Sequence, residues 1–516
     1  MASNILGFIA HIASYAVGVS VLAITLNILW QQLPRKKSEP PLVFHLIPFI
    51  GNAVSYGVNP FEFYKECRRK HGDIFTFILF GRKMTVYLGT DGNEFILNGK
   101  LQDVNAEEIY SPLTTPVFGS DIIYDCPNSK LMEQKKFVKF GLTQAALESY
   151  VPLIEKEVID YLKSEFKGPG GKVNISTAMS EITIFTAGRT LQGAEVRKKL
   201  TAEFAEYYHD LDMGFRPINF LMPWFPLPQN RRRDAAREKM RSVYTELINA
   251  RRDAKSGSQE NQEPDMISHL MSCIYKNGTP LPDKEIAHMM ITLLMGGQHS
   301  SSSSSAWIML RLASRPDMVE ELYQEQLQAL GPDTTKPLQF ADLDRLPLLH
   351  NVVKETLRVH SSIHSLMRKV MNPIQVPDSD YVITADKVLV ASPITSHLDE
   401  KYFPNAEVWD PHRWDDRVEV ELEEDFVDYG YGAMNKGTRS PYLPFGAGRH
   451  RCIGEKFAYI NLVTIILTMV RNLKLSTVDG KCWVPPTDYA SLFSRPPLDR
   501  RTPLGAASAC FFIDPT

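Results

Sequence analysis

The chain has 516 residues, of which 44% are hydrophobic, and its formal net charge is −3. This length is sufficient to bury a large core, and the near-neutral charge excludes a general electrostatic attraction to nucleic acid. The six cysteines are scattered without paired spacing, which excludes a C-x-x-C zinc pattern and a dense disulfide framework and favours a reducing compartment.

The first element along the chain is an apolar run at residues 5–30 that contains no Asp, Glu, Lys or Arg. Its length predicts a transmembrane helix, and the basic residues Arg35, Lys36 and Lys37 place its end on the cytoplasmic side. A cleaved signal peptide is the alternative, although the run is long for one and no basic segment precedes it. We therefore divide the chain into an anchor at 1–34, a proline-rich linker at 35–59 and one large domain at 60–516.

Beyond the linker the pattern is mostly helical. Asp73 to Gly89 alternates β-branched and aromatic residues around Phe80-Gly81, which predicts a hairpin. Short strands are expected between 369 and 395 and near the C-terminus, and the acidic stretch 415–427 is expected to form a solvated surface insertion. Helices are predicted near 60–70, 130–147, 150–166, 175–192, 196–211, 230–255, 283–314 and 348–360.

A single cysteine, Cys452, lies in a glycine-rich loop, Phe445-Gly-Ala-Gly-Arg-His-Arg-Cys-Ile-Gly454, followed by an apolar helical run. A cysteine just before a helix N-terminus is expected to be stabilised as a thiolate, which can ligate a soft metal or haem iron. The glycines allow a flat cofactor to approach the backbone closely. An inert buried cysteine is the alternative.

A second pattern, Glu355-Thr-Leu-Arg358, places a carboxylate and a guanidinium on one helix face. Such pairs are usually solvated, but Arg413 in the aromatic turn Trp409-Asp-Pro-His-Arg-Trp414 offers a second guanidinium. A carboxylate between two guanidiniums can be buried, so these three residues are predicted to form a structural cluster.

The third pattern is Gly296-Gly-Gln-His-Ser300 in the middle of the predicted helix 283–314. Glycines weaken a helix, and serine hydroxyls can bond back to carbonyls one turn earlier and bend it. A core helix with one satisfied histidine is the alternative for His299.

Together these three motifs resemble those of the cytochromes P-450, and the stretch from Tyr110 to Phe137 resembles most closely the filamentous-fungal sterol 14α-demethylases. The likeness covers essentially the whole chain. It implies a mainly α-helical fold with a smaller β region, a triangular helical prism, carried by the N-terminal transmembrane helix.

The resemblance also implies roles for individual residues. The catalytic residues that it implies are Ser300, His299 and Asp212, with Asp212 and His299 forming a proton relay. The haem-binding residues are Cys452 as axial iron ligand and Tyr110, Tyr124, Lys135, Arg368 and His450 as propionate donors. The sterol-binding residues are Leu113, Thr114, Phe118, Phe215, Phe220, Gly296, Ile363, His364, Ser365 and Leu492.

The implied reaction removes the 14α-methyl group of lanosterol or eburicol in three O2- and NADPH-dependent steps of ergosterol biosynthesis. The implied cofactor is haem b, and the implied partners are NADPH–cytochrome reductase, cytochrome b5, azole inhibitors and the bilayer. The expected protein is a monomer of the endoplasmic reticulum membrane with a cytosolic catalytic domain. Alternatives are another membrane-bound P-450 hydroxylase of lipids or xenobiotics, a haem sensor or isomerase, and a structural membrane protein.

Overall fold

The structure is a computed structural model of the whole chain, which divides into two compact units. One unit joins Met1–Ala106 to Ser365–Ser396, and the other joins Glu107–His364 to His397–Thr516. The residues that the structure describes are 2–165, 171–200, 202–254, 265–333, 335–415, 426–427, 434–435, 437–477, 487, 496 and 508–512.

Helices dominate these described residues, and short strands form the rest of the regular structure. The helices are α1 (Ala2–Gln32), α2 (Ala53–Val58), α3 (Pro60–His71), α4 (Gly89–Leu97), α5 (Glu107–Phe118), α6 (Asn128–Val138), α7 (Gln144–Glu165), α8 (Ile175–Ala187), α9 (Ala194–Lys199), α10 (Ala202–Asp212), α11 (Pro217–Leu221), α12 (Pro228–Ala254), α13 (Met266–Met271), α14 (Asp283–Ala313), α15 (Pro316–Leu330), α16 (Phe340–Leu343), α17 (Pro347–Val359), α18 (Pro393–His397) and α19 (Glu455–Asn472). The strands are β1 (Ile74–Leu79), β2 (Arg82–Tyr87), β3 (Val104–Asn105), β4 (Gly171–Asn174), β5 (Leu366–Val370), β6 (Ile374–Gln375), β7 (Val382–Ile383), β8 (Lys387–Ala391), β9 (Phe426–Val427), β10 (Met434–Asn435), β11 (Lys474–Thr477) and β12 (Ser508–Phe512).

The first unit is built on a five-stranded sheet of order β1-β2-β8-β5-β3. The predicted hairpin is confirmed: β1 and β2 pair antiparallel, from Ile74 opposite Tyr87 to Leu79 opposite Arg82. Its two-residue turn has positive φ at Phe80 (49°) and Gly81 (75°), as the right-handed twist of a tight hairpin requires. β2 then pairs parallel with β8, and Met84 and Val86 of β2 are buried.

Helix α1 belongs to the first unit and contains the segment Ser14–Gln32, which is long and apolar enough to cross a membrane. Near its C-terminal end the side-chain amides of Asn27 and Gln31 donate to the backbone oxygen of His45, at 3.0 and 2.8 Å. These bonds hold the end of the helix against the chain that follows the basic residues.

The second unit is organised around α14, most of whose residues are buried, the polar Gln298 and Ser305 among them. It packs against α8, α12 and α19. α19 is also buried along almost its whole length. Cys452 therefore lies directly before one core helix, and His299 lies within the other.

Helix α5, which contains Tyr110, was not predicted from the sequence, and Pro112 and Pro116 fall inside it. Arg237 donates to the Pro116 carbonyl at 3.0 Å, near the C-terminal end of the helix, where carbonyls lack a partner within the helix. Helices α4 and α15 were also not predicted. Most of the acidic stretch 415–427 lies outside the described residues.

Candidate functional site in the helical unit

The cysteine loop makes a tight turn through glycines with positive φ, Gly446 at 68° and Gly448 at 67°. The Cys452 N–H donates to the Phe445 carbonyl at 3.1 Å, which closes the loop. Helix α19 starts at Glu455 with Gly454 as its N-cap, so the cysteine stands immediately before the helix as the sequence predicted.

The electrostatics of Cys452 differ from expectation. Its side chain is accessible to solvent, but surrounding protein desolvates the sulfur and raises the pKa of the thiol above its ordinary value. The Gly454 N–H lowers the pKa of the thiol, although by less than burial raises it. The backbone N–H therefore acts in the predicted direction, but burial of the sulfur has the larger effect on the pKa of the thiol.

Four of the predicted propionate donors belong to one cluster beside this loop. The rings of Tyr110 and Tyr124 lie 5.1 Å apart, and the Tyr124 ring lies 5.6 Å from the ring of His450. Lys135 donates from Nζ to the Arg449 carbonyl at 2.8 Å. The cluster therefore gathers two phenols, an imidazole and an ammonium group, all of which can donate to carboxylates.

The segment before Tyr124 is strained, with positive φ at Asp121 (69°) and at the β-branched Ile123 (49°). The Asp125 carboxylate accepts hydrogen bonds from the Asp121 N–H at 2.9 Å and from Thr115 Oγ1 at 2.9 Å. Such strain persists only where contacts over-determine the backbone. Asp125 therefore positions the loop that carries Tyr124, a role that no pattern in the sequence indicated.

Across the unit, α14 continues without interruption through its two glycines. A Cβ at Gly297 would lie 2.9 Å from Leu191 Cδ1, whereas one at Gly296 would meet nothing within 4 Å. Ser300 Oγ donates to the Gly296 carbonyl at 3.2 Å, the back-bond expected from the sequence. The helix is therefore packed at Gly297 and open at Gly296.

Beside this opening His299 Nε2 lies 2.7 Å from Asp212 Oδ1, and both side chains are 15% exposed. The Phe215 ring lies edge-on to the His299 ring at 6.0 Å and contacts the ring of Phe118 at 5.7 Å. The two partners of the expected relay, far apart in sequence, are thus in direct contact beside an aromatic wall.

The other predicted sterol-binding residues occupy varied positions. Leu113 and Thr114 are buried on α5, Phe220 is half-buried, and Ile363 is exposed. Burial of His364 lowers the pKa of its imidazole to about 4. Ser365 and Arg368 belong to the first unit, where the Ser365 hydroxyl lies 2.9 Å from that of Tyr64. Leu492 lies outside the described residues.

The predicted structural cluster is assembled around Glu355, which like Arg358 is fully buried. Arg358 donates to both carboxylate oxygens at 2.7 and 2.8 Å, and Arg413 donates from Nε at 2.9 Å. The Trp414 indole N–H donates to the same carboxylate at 3.1 Å. Each charge is therefore compensated, as burial requires.

Comparison with known proteins defines the class to which this fold and site belong. The family model described as Cytochrome P450 matches residues 40–501, and the chain belongs to this family. The structure resembles that of the retinoic acid bound cyanobacterial CYP120A1, with a TM-score of 0.73, 19% identity and coverage of 92% of this chain and 99% of that one.

More specific relatives are fungal. A sterol 14-alpha demethylase of Aspergillus flavus is 68% identical over 94% of both chains. An eburicol 14-alpha-demethylase of Penicillium italicum is 59% identical over 95% of this chain and 96% of its own length.

Members of the family bind haem through a cysteine thiolate, and the residues present here fit that group. The Cys452 thiol is accessible at a loop whose glycines leave room beside the backbone. The neighbouring cluster of Tyr110, Tyr124 and His450 supplies donors for anionic substituents, and Gly296 leaves open space on a core helix.

Proposed function

We propose that the protein is a sterol 14α-demethylase that acts on lanosterol or eburicol in ergosterol biosynthesis. The methyl group is oxidised to the alcohol, then to the aldehyde, and is finally released as formate, leaving a new double bond. The observation that carries the proposal is the His299–Asp212 contact in the same unit as an accessible Cys452, in a chain 59–68% identical to the demethylases of P. italicum and A. flavus.

When bound through the Cys452 thiolate, haem b supplies the activation of O2. The remaining roles belong to side chains of this protein. Tyr110, Tyr124, Lys135, Arg368 and His450 are the proposed donors to the propionates.

Proton delivery is the proposed role of the polar residues on α14. His299 Nε2 exchanges a proton with Asp212 Oδ1, and the Ser300 hydroxyl holds a proton at Oγ while it is bonded to the Gly296 carbonyl. An imidazole beside a carboxylate is suited to general acid catalysis near neutral pH. Phe118 and Phe215 form an apolar wall for the sterol, and azole inhibitors are proposed to occupy the same site.

Electrons are proposed to come from NADPH through a membrane reductase, with cytochrome b5 as a second donor. Lys136 and Lys139 are exposed at the end of α6, whereas Arg451 is already paired with Glu455 at 2.7 Å. Lys136 and Lys139 therefore form the proposed docking surface for an acidic partner. Helix α1 is the proposed anchor of a monomer in the endoplasmic reticulum membrane.

The decisive experiment is a reduced CO difference spectrum of the purified protein, followed by turnover of eburicol and lanosterol with a reductase. We expect a thiolate-type spectrum and release of formate. Cys452→Ser should abolish the spectrum, whereas the matched control Cys273→Ser, at a buried cysteine away from the loop, should retain it. A normal spectrum without sterol turnover would support another P-450 hydroxylase.

A further inference from the structure

Two neighbouring residues of α14 face the same helix of the second unit. His299 contacts Asp212, the last residue of α10, and Gln298 contacts Tyr208, which lies one helical turn earlier on α10. The Tyr208 ring also lies 5.7 Å from the His299 ring. Because residues four apart on a helix share a face, the two contacts form consecutive rungs between α10 and α14.

The Gln298 rung is a directed chain of hydrogen bonds. The Tyr208 hydroxyl donates to Gln298 Oε1, and Gln298 Nε2 donates to Ser180 Oγ at 2.8 Å and to the Ser180 carbonyl at 3.2 Å. Because a backbone carbonyl only accepts, the amide orientation is determined. Gln298 is 2% exposed, so all these groups depend on one another rather than on water.

The tyrosine remains a donor across the working pH range. Burial, followed by the charge of Asp212, raises the pKa of Tyr208 well above its ordinary value. The chain Tyr208–Gln298–Ser180 therefore connects α10, α14 and α8 by bonds that do not change when His299 gains or loses a proton.

We propose that the Tyr208–Gln298–Ser180 chain positions α10 so that Asp212 stays within reach of His299 while the imidazole releases its proton. If the Tyr208–Gln298–Ser180 chain were absent, the contact between α10 and His299 would weaken whenever the imidazole becomes neutral, because the ion pair with Asp212 is then lost. Tyr208 and Gln298 are positioning residues, and their role deepens the proposed demethylase function on which it rests.

The protein contains a matched control for this chain. The buried Tyr244 of α12 donates to Gln192 Oε1 at 2.8 Å, and Gln192 Nε2 donates to the Met290 carbonyl at 3.3 Å. This pair has the same chemistry and burial but joins α12 to a different turn of α14. Tyr208→Phe and Tyr244→Phe thus remove the same hydrogen bond at two places.

The test uses the full-length holoprotein with reductase and eburicol. We expect Tyr208→Phe to lower kcat about tenfold with KM within about twofold, since an interaction that acts during the reaction changes kcat. The fraction of NADPH that yields product should fall, and the solvent isotope effect should rise. Ser180→Ala, which leaves the backbone acceptor in place, should produce a smaller change in the same direction, and Tyr244→Phe should leave all four values unchanged.

Hydrogen–deuterium exchange of the holoprotein gives a readout that does not depend on sterol turnover. Tyr208→Phe should accelerate exchange in α10, whereas Tyr244→Phe should accelerate it in α12. Equal kinetics for the two tyrosine variants, or unchanged exchange in α10, would overturn the positioning role. Faster exchange in α10 in a protein that turns over no sterol would instead retain the positioning and refute the demethylase function.

Discussion

The second unit contains two acid–base clusters with opposite designs. Around Glu355 the charges of Glu355 and Arg358 are fully buried and have several donors or acceptors, with Arg358 also donating to the carbonyls of His397 and Ala406. The Asp212–His299 pair is 15% exposed and retains access to solvent. The comparison shows that charges with all their hydrogen bonds made inside the protein stabilise the fold, whereas a charge that must exchange protons keeps some exposure to solvent.

Removal of Arg358 should have the largest effect. Arg358→Met would leave the Glu355 carboxylate with less compensation in a buried site, and such a change costs about 3–5 kcal/mol. We expect loss of most folded holoprotein, measured by thermal unfolding and by the reduced CO spectrum.

Its control is Arg241→Met, which breaks a pair with Glu238 at the same i,i+3 spacing on the exposed surface of α12. Surface pairs contribute less than about 1 kcal/mol, so this variant should unfold almost as the parent does. Similar losses in both variants would contradict the distinction between buried and solvated charges.

A substitution in the Asp212–His299 pair should lower the reaction rate and leave the stability of the fold unchanged. Asp212→Asn keeps the shape of the side chain but removes the charge opposite His299, and loss of a general acid–base partner typically costs about 100-fold or more in rate. We expect kcat to fall while the melting temperature stays near that of the parent. Asp210→Asn, on the same helix but paired with Arg232 at 3.4 Å, should retain activity.

The pH dependence of stability should also distinguish buried from exposed histidines. Burial lowers the pKa of His397 to about 3, so its neutral form stabilises the fold fully above pH 6.5. This contribution decreases as the pH falls from 6.5 towards 3, because the unfolded chain then binds more protons, at about 1.4 kcal/mol per pH unit. His397→Gln should therefore flatten the acid limb of urea unfolding free energies measured from pH 4 to 8.

The contribution of His412 to stability has the opposite pH dependence. Its exposed imidazole lies 2.7 Å from Asp415 and 2.9 Å from Glu321, and the hydrogen bond that the ring donates to Asp415 raises the pKa of the imidazole. The stability that the protonated imidazole contributes is fully present below pH 6.5 and is lost as the pH rises through the pKa of His412 in the folded state. His412→Gln should remove stability only on the acid side, and identical pH profiles for the two variants would refute the assignment.

The smallest effects should come from the two glycines of α14. Alanine at Gly297 needs a small shift of the flexible Leu191 methyl, and the gain in helix propensity of up to about 1 kcal/mol offsets it. Alanine at Gly296 fits sterically but enters the open space. We expect Gly297→Ala to leave KM unchanged and Gly296→Ala to raise it, whereas equal KM values would place the sterol elsewhere.

Local patterns in the sequence were sufficient for several of these features. The spacing of Glu355 and Arg358 placed both on one helix face, and the apolar run after Gly454 predicted a buried helix. The alternation around Phe80-Gly81 predicted the hairpin, since periodicity and turn residues act over a few residues only. The pairing of Asp212 with His299 came from the resemblance and from no local pattern.

Only the tertiary structure decided the remaining features, because each depends on residues distant in the chain. Pro112 and Pro116 lie inside α5, which Arg237 supports from α12. Burial raises the pKa of the Cys452 thiol by more than the Gly454 N–H lowers it. The Tyr208–Gln298–Ser180 chain joins three helices. The sequence determined which residues could carry the chemistry, and packing determined their neighbours and their charge.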